Sequence, residues 1–140
     1  MARRRKKNEL MIKTKKRILR ETSSQRSLKE YTTTYKDIKR YFRVFNKTLF
    51  KNKLNPFNDI KIKNLKGAYG QCVENISHRK GTNFYVLEMM PTYKNKRDFI
   101  STLAHEMIHL WQQTVKKNNG NHNDLFYSFR PKFKKLNLEL

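Results

Sequence analysis

In the stretch Thr102–Gln112, TLAHEMIHLWQ, two histidines stand four residues apart with a glutamate beside the first. At 3.6 residues per turn, positions i and i+4 lie one above the other on a helix face. The surroundings have helical period, because Ile100, Leu103, Ala104, Met107, Ile108, Trp111 and Val115 form a wide apolar stripe. Asn95 followed by Asp98 resembles a capping box, with an acid in the first turn where the helix dipole prefers one. On such a helix His105 and His109 can both reach one metal ion, with Zn–N bonds of about 2.0–2.1 Å. With four His and seven Glu in 140 residues, chance assembles this pattern in about half a percent of such chains.

Glu106 is rotated by roughly 100° from His105. It flanks the metal position without ligating, at a distance suited to taking a proton from water that zinc has acidified. This is the H-E-x-x-H motif of metalloproteases, and it makes Glu106 the candidate catalytic carboxylate. A catalytic zinc site needs a third protein ligand. His78 sits beside Arg79 and Lys80 and reads as an exposed turn residue. His122 follows the helix break NNG and precedes another helical segment, so the chain can fold back over the face carrying His105 and His109. His122 is the expected third ligand, with Asp124 and Glu88 as carboxylate alternatives. The spacing is not that of H-E-x-x-H-x-x-G-x-x-H, because Gln112 stands where that pattern has Gly. An oxyanion would need a further donor, and Tyr93, Tyr127 and Arg130 are undistinguished candidates.

The rest of the chain is mixed in period. Tyr35, Ile38, Tyr41, Phe42, Phe45 and Leu49 predict an amphipathic core helix, with Thr33 or Thr34 as N-cap and an end near Asn52. DIKIKNL alternates as a half-buried strand does, and AYGQCVE and TNFYVLEMM are two more strands, with turn chemistry at Gly81 and Asn83. The simplest arrangement is a three-stranded, mostly antiparallel sheet. DLFYSFRPKFKKL predicts a short closing helix that Pro131 bends or interrupts. Trp111 is expected in the core. The fold class is α+β: a helix, a small sheet, the H-E-x-x-H helix and a closing helix, over residues 31–140.

Four segments taken in order, YFRVFNKTLFKNKL, GAYGQC, FISTLAHEMIHLWQ and GNHNDLF, resemble the SprT-like metallopeptidase domain, the family of the Spartan proteases. The resemblance spans about residues 33–130. It implies a zincin-like minimal domain and a zinc endopeptidase. It also implies that His105, His109 and His122 hold the ion, with Glu106 as the catalytic carboxylate. Spartan-type members cleave proteins attached to DNA, and DNA stimulates them, so a DNA-bound protein is the implied substrate. The chain departs from longer members, because Cys72 alone cannot build their zinc ribbon and Asn123 stands where Gly commonly follows the third histidine.

Charge is where composition matters. The chain carries 33 Lys and Arg against 11 Asp and Glu, a net charge of +22, and a field that positive favours polyanions, nucleic acid first. Residues 1–30 hold 12 Lys and Arg against 3 Glu and read as a flexible basic arm outside the family domain. Such an arm would bind phosphates without reading sequence. No apolar run approaches the roughly 20 residues of a membrane span, and one cysteine permits no internal disulfide. A cytoplasmic, DNA-associated location follows as the expectation. A nucleic-acid-binding accessory protein that keeps the zinc fold with little peptidase activity is the alternative.

Overall fold

The structure, a computed structural model, describes residues 2–76, 83–117 and 119–140. Helix α1 (Ala2–Thr22) leads through a 3-10 turn to a two-residue strand β1 (Tyr31–Thr32) and helix α2 (Tyr35–Leu49). Strands β2 (Asp59–Ile62), β3 (Gly70–Ile76), β4 (Asn83–Met89) and β5 (Thr92–Tyr93) follow. Helix α3 (Lys96–Thr114) and two short helices, α4 (Asp124–Tyr127) and α5 (Arg130–Lys135), complete the order. The mixed α+β class agrees with the sequence-based expectation. The exposure expected of His78 and the turn expected at Gly81 lie outside the described residues.

The two long core helices start where their caps are written. Thr34 accepts from the Asp37 backbone N–H at 3.1 Å, and Asn95 accepts from that of Asp98 at 2.8 Å. Helix α2 buries Ile38, Tyr41, Phe42, Phe45 and Leu49, the expected stripe. It stops at Phe50, where Lys51 and Asn52 turn to positive φ and Asn46 brackets Leu54 with two side-chain hydrogen bonds. Helix α3 is buried on nearly all sides, against α2, the sheet and α4, and it is the axis of the domain. Trp111 is half-buried at the margin of the core, between Phe50 and Phe129, and is not among its fully enclosed residues.

Three expectations are corrected. The three-stranded sheet, in order β2-β4-β3, is evenly divided in direction: β3 pairs with β4 antiparallel, but β2 pairs with β4 parallel. Alternation of apolar residues is the same for either direction, so the pattern could not decide it. An additional antiparallel pair joins β1 to β5, Tyr31 opposite Tyr93 and Thr32 opposite Thr92. The closing segment is two short helices in place of one, interrupted at residues 128–129 as expected near Pro131, which does not bend a helix but lies in the first turn of α5, where a missing N–H costs nothing.

The third correction concerns residues 1–30. The second half of α1, a helix of 21 residues, is not a free arm: it is docked on α2. Ile18 is fully buried in the core, and Thr14 Oγ1 meets Thr48 Oγ1 at 3.0 Å. Tyr41 donates its hydroxyl to the Glu21 carboxylate, which also faces Arg40 at 3.5 Å. Numbering rises along α1 from Thr14 to Glu21 while it falls along α2 from Thr48 to Tyr41, so the two helices are antiparallel. The dense charge lies on the outer side of this helix, at Lys13, Lys15, Lys16 and Arg20.

Candidate metal centre

Helix α3 presents His105, Glu106 and His109 to a cleft of about 1200 Å³, which β3 lines with Gly70 and Cys72 on one side. The loop after α3 returns His122 to the same place. The three imidazoles converge: His109 Nε2 lies 3.3 Å from His105 Nε2 and 3.2 Å from His122 Nε2. Tetrahedral bonds of about 2.0–2.1 Å would set ligand nitrogens about 3.3–3.4 Å apart, so the spacing fits one ion of zinc's size. Among the described residues this is the one His/Cys/Asp/Glu group able to hold a metal, and all its ligand atoms lie within 4.8 Å of one another. His122, the third ligand expected from the sequence, is brought into this group, and its two carboxylate alternatives are not. Asp124 opens α4 and is not in the group. Glu88 is committed elsewhere, to Lys63 Nζ at 3.1 Å and to the Gln71 amide, which holds its carboxyl below the usual range.

The rings rest on Phe126, which is fully buried, with centroids 4.8 Å from His105, 4.9 Å from His109 and 4.6 Å from His122. Asn123 caps the helix that carries this ring, accepting from the Phe126 backbone N–H at 3.1 Å. Asn123 is therefore the N-cap of α4.

Electrostatics favour the neutral form of His105 and His109, the state a metal requires. Burial, and then the charge each neighbouring imidazole would carry, push His105 down to about 4. Burial likewise lowers His109, with hydrogen bonds to Gln112 and Gly120 working against it. The 3.9 Å approach of His105 Nε2 to Glu106 is therefore no ion pair near neutral pH. Burial pushes the Glu106 carboxyl up to about 8, against the Cys72 backbone N–H that bonds it. A bound cation would pull that carboxyl down again, because opposite charge favours the ionised form. The Cys72 thiol is raised to about 12 by burial first and then by Glu106, so it is protonated near neutral pH, and it is not in the metal group.

Strand β3 reaches Glu106 only because residue 70 is glycine. A Cβ there would stand 2.8 Å from Thr102 Cγ2 and 3.4 Å from Glu106 Cγ. Of the oxyanion candidates, Tyr93 lines the cleft, but its hydroxyl already donates to the Tyr69 carbonyl and accepts from the Met90 N–H. Tyr127 does not line the cleft; its ring lies under the Arg130 guanidinium at 4.6 Å.

Sequence reasoning missed two contributors. The Cys72 backbone N–H has no side-chain signal. Gln112 was visible only as a departure from a longer motif, yet it is fully buried and bonds His109 Nδ1 at 3.0 Å. No helix among the described residues is long and apolar enough to cross a membrane. The model of the SprT-like family matches residues 38–138. No curated protein and no solved structure matches the chain.

Proposed function

The chain belongs to the SprT-like family, and from that premise we propose that it is a zinc-dependent endopeptidase, of zincin-like architecture, acting on proteins at or near DNA. His105, His109 and His122 would hold the ion, and Glu106 is the general base. The observation that carries this reading is the convergence of three imidazole Nε2 atoms beside one buried carboxyl group. Zinc held there supplies a Lewis acid and acidifies water. The chain's own residues do the rest. The ionised Glu106 carboxylate takes the proton of the attacking water and can return it to the leaving amine. The Cys72 N–H faces that carboxyl group and favours its ionised form. The cleft beside β3 is large enough for a segment of extended chain.

The test is a cleavage assay on a DNA-bound protein, with and without DNA, with zinc content measured alongside. Glu106→Gln should keep its zinc and its fold and lose at least a hundredfold in rate, since an amide cannot accept the proton, in line with the usual 10²–10⁴-fold worth of a general base. His122→Ala should weaken zinc binding and Asp124→Ala should not. Equal turnover by Glu106→Gln and the parent would remove Glu106 from its role. A parent that binds zinc and DNA but cleaves nothing, bound or unfolded, would point to the accessory-protein alternative.

A further inference from the structure

Gln112 lies three residues past His109, fully buried, with both polar atoms of its amide in use. Its Nε2 stands 2.9 Å from the Asn121 carbonyl oxygen and 3.2 Å from Asn123 Oδ1. A backbone carbonyl only accepts, so the amide nitrogen must face it. Asn123 Oδ1 is fixed in the same way, because the Phe126 backbone N–H donates to it. With its nitrogen committed, Gln112 turns Oε1 to His109 Nδ1 at 3.0 Å. An amide oxygen cannot donate, so His109 must carry its proton on Nδ1. The lone pair then lies on Nε2, the atom that meets His105 and His122.

The same amide acts on a second ligand. Asn121 and Asn123 flank His122 in the chain, and one donor nitrogen ties both to α3. A ligand from the helix and a ligand from the loop are thus set by one side chain. We propose that Gln112 is the positioning residue of the metal centre: its oxygen fixes the tautomer and ring orientation of His109, and its nitrogen pins the loop that carries His122. Glutamine does both while neutral, which matters at a position with no exposure. Glutamate would keep the acceptor and lose the donor, and leucine would lose both.

The inference rests on the metal-site reading, but its first readout needs no metal. Imidazole nitrogen NMR on the zinc-free full chain reads the tautomer, and amide hydrogen exchange reads the loop. In the parent, His109 should be the Nδ1–H tautomer. Gln112→Glu should keep that tautomer while amide exchange at residues 121–123 quickens at least tenfold. Gln112→Leu should lose both, giving mixed tautomers, fast loop exchange and an altered visible spectrum of the Co²⁺-loaded chain. Its zinc affinity, by competition with a chelator, should fall roughly 10–100-fold, the usual cost of removing an outer partner of a ligating histidine. Were Gln112 only filling space, Gln112→Leu would keep the parental tautomer and Co²⁺ spectrum, and that result overturns the proposal. Should Gln112→Leu fail to fold, Gln112→Glu decides: loop exchange at the parental rate overturns the clamp. A parent that takes up no zinc overturns the metal reading, while tautomer and exchange still judge Gln112.

Discussion

Burial and a metal act on Glu106 in opposite directions, and the zinc-free protein exposes the first. Its folded carboxyl is raised from 4.5 to about 8, so between those values the folded chain keeps a proton that the unfolded chain has released. Stability from this group is full below pH 4.5 and is lost as pH rises toward 8. His105, lowered from 6.5 to about 4, runs the other way: the unfolded chain binds the extra proton, and stability rises with pH across that window. His109, also lowered from 6.5, acts with His105 against Glu106 up to pH 6.5, and above it the Glu106 effect remains. Zinc-free protein should therefore lose up to about 2 kcal/mol between pH 6.5 and 8, from 1.5 pH units at about 1.4 kcal/mol each. Denaturant unfolding at several pH values measures it. Glu106→Gln should abolish the slope, and so should added zinc. A slope that persists in Glu106→Gln would assign the effect to another group. The grouping of His105, Glu106 and His109 was legible because i, i+4 spacing brings residues to one helix face, whereas His122 left no such spacing and was reached through the helix break before it. Gln112 and the Cys72 N–H were not legible. A partner that acts through an amide oxygen or the backbone shares no residue type with the chemistry it serves.

At the scale of elements, legibility followed apolar period and caps. Helices α2 and α3 show both, at Thr34 and Asn95, and β2 shows alternation in its burial. Helix α1 shows neither in a form that hydrophobicity can find. Among its described side chains the buried ones are Thr14, Ile18 and Thr22, a clean i, i+4, i+8 stripe in which two of three residues are polar. Thr14 finds Thr48, and Thr22 turns its hydroxyl to the Ile18 carbonyl at 2.7 Å. The helix is thus docked by one isoleucine and satisfied hydroxyls, while lysines dominate the composition. Ile18→Ala should cost about 2–5 kcal/mol in denaturant unfolding, the range for a buried isoleucine truncation. Ile12→Ala, at a position 53% exposed on the same helix, should stay within about 0.5 kcal/mol. Equal small effects at both positions would return residues 1–30 to the flexible arm that composition suggested.

At the scale of the whole molecule, the net charge of +22 is too large to be spent on internal pairs. Helix α2 shows why. Its outer positions Lys36, Lys39, Arg43 and Lys47 follow one another around the face opposite its buried stripe, and none of them makes an ion pair among the described residues. Helix α1 lies beside that face with its own exposed lysines, and neither helix lines the cleft. A polyanion held there leaves the metal centre open. Such contacts release counterions, so DNA affinity should fall steeply with salt and depend little on sequence, by about 0.9 in logarithmic slope per phosphate neutralised. Deleting residues 1–10 removes Arg3, Arg4, Arg5, Lys6 and Lys7 but spares Thr14, Ile18 and Thr22, so the fold should hold. The truncated chain should bind DNA more weakly with a flatter salt slope and keep its zinc. It should cleave a free protein at the parental rate and a DNA-bound one more slowly, because fewer charges concentrate it at the substrate. Paired salt titrations and cleavage assays on the two chains decide the matter. An unchanged slope would assign the phosphate contacts to the α2 face, and Lys39→Gln with Arg43→Gln and Lys47→Gln should then flatten it instead.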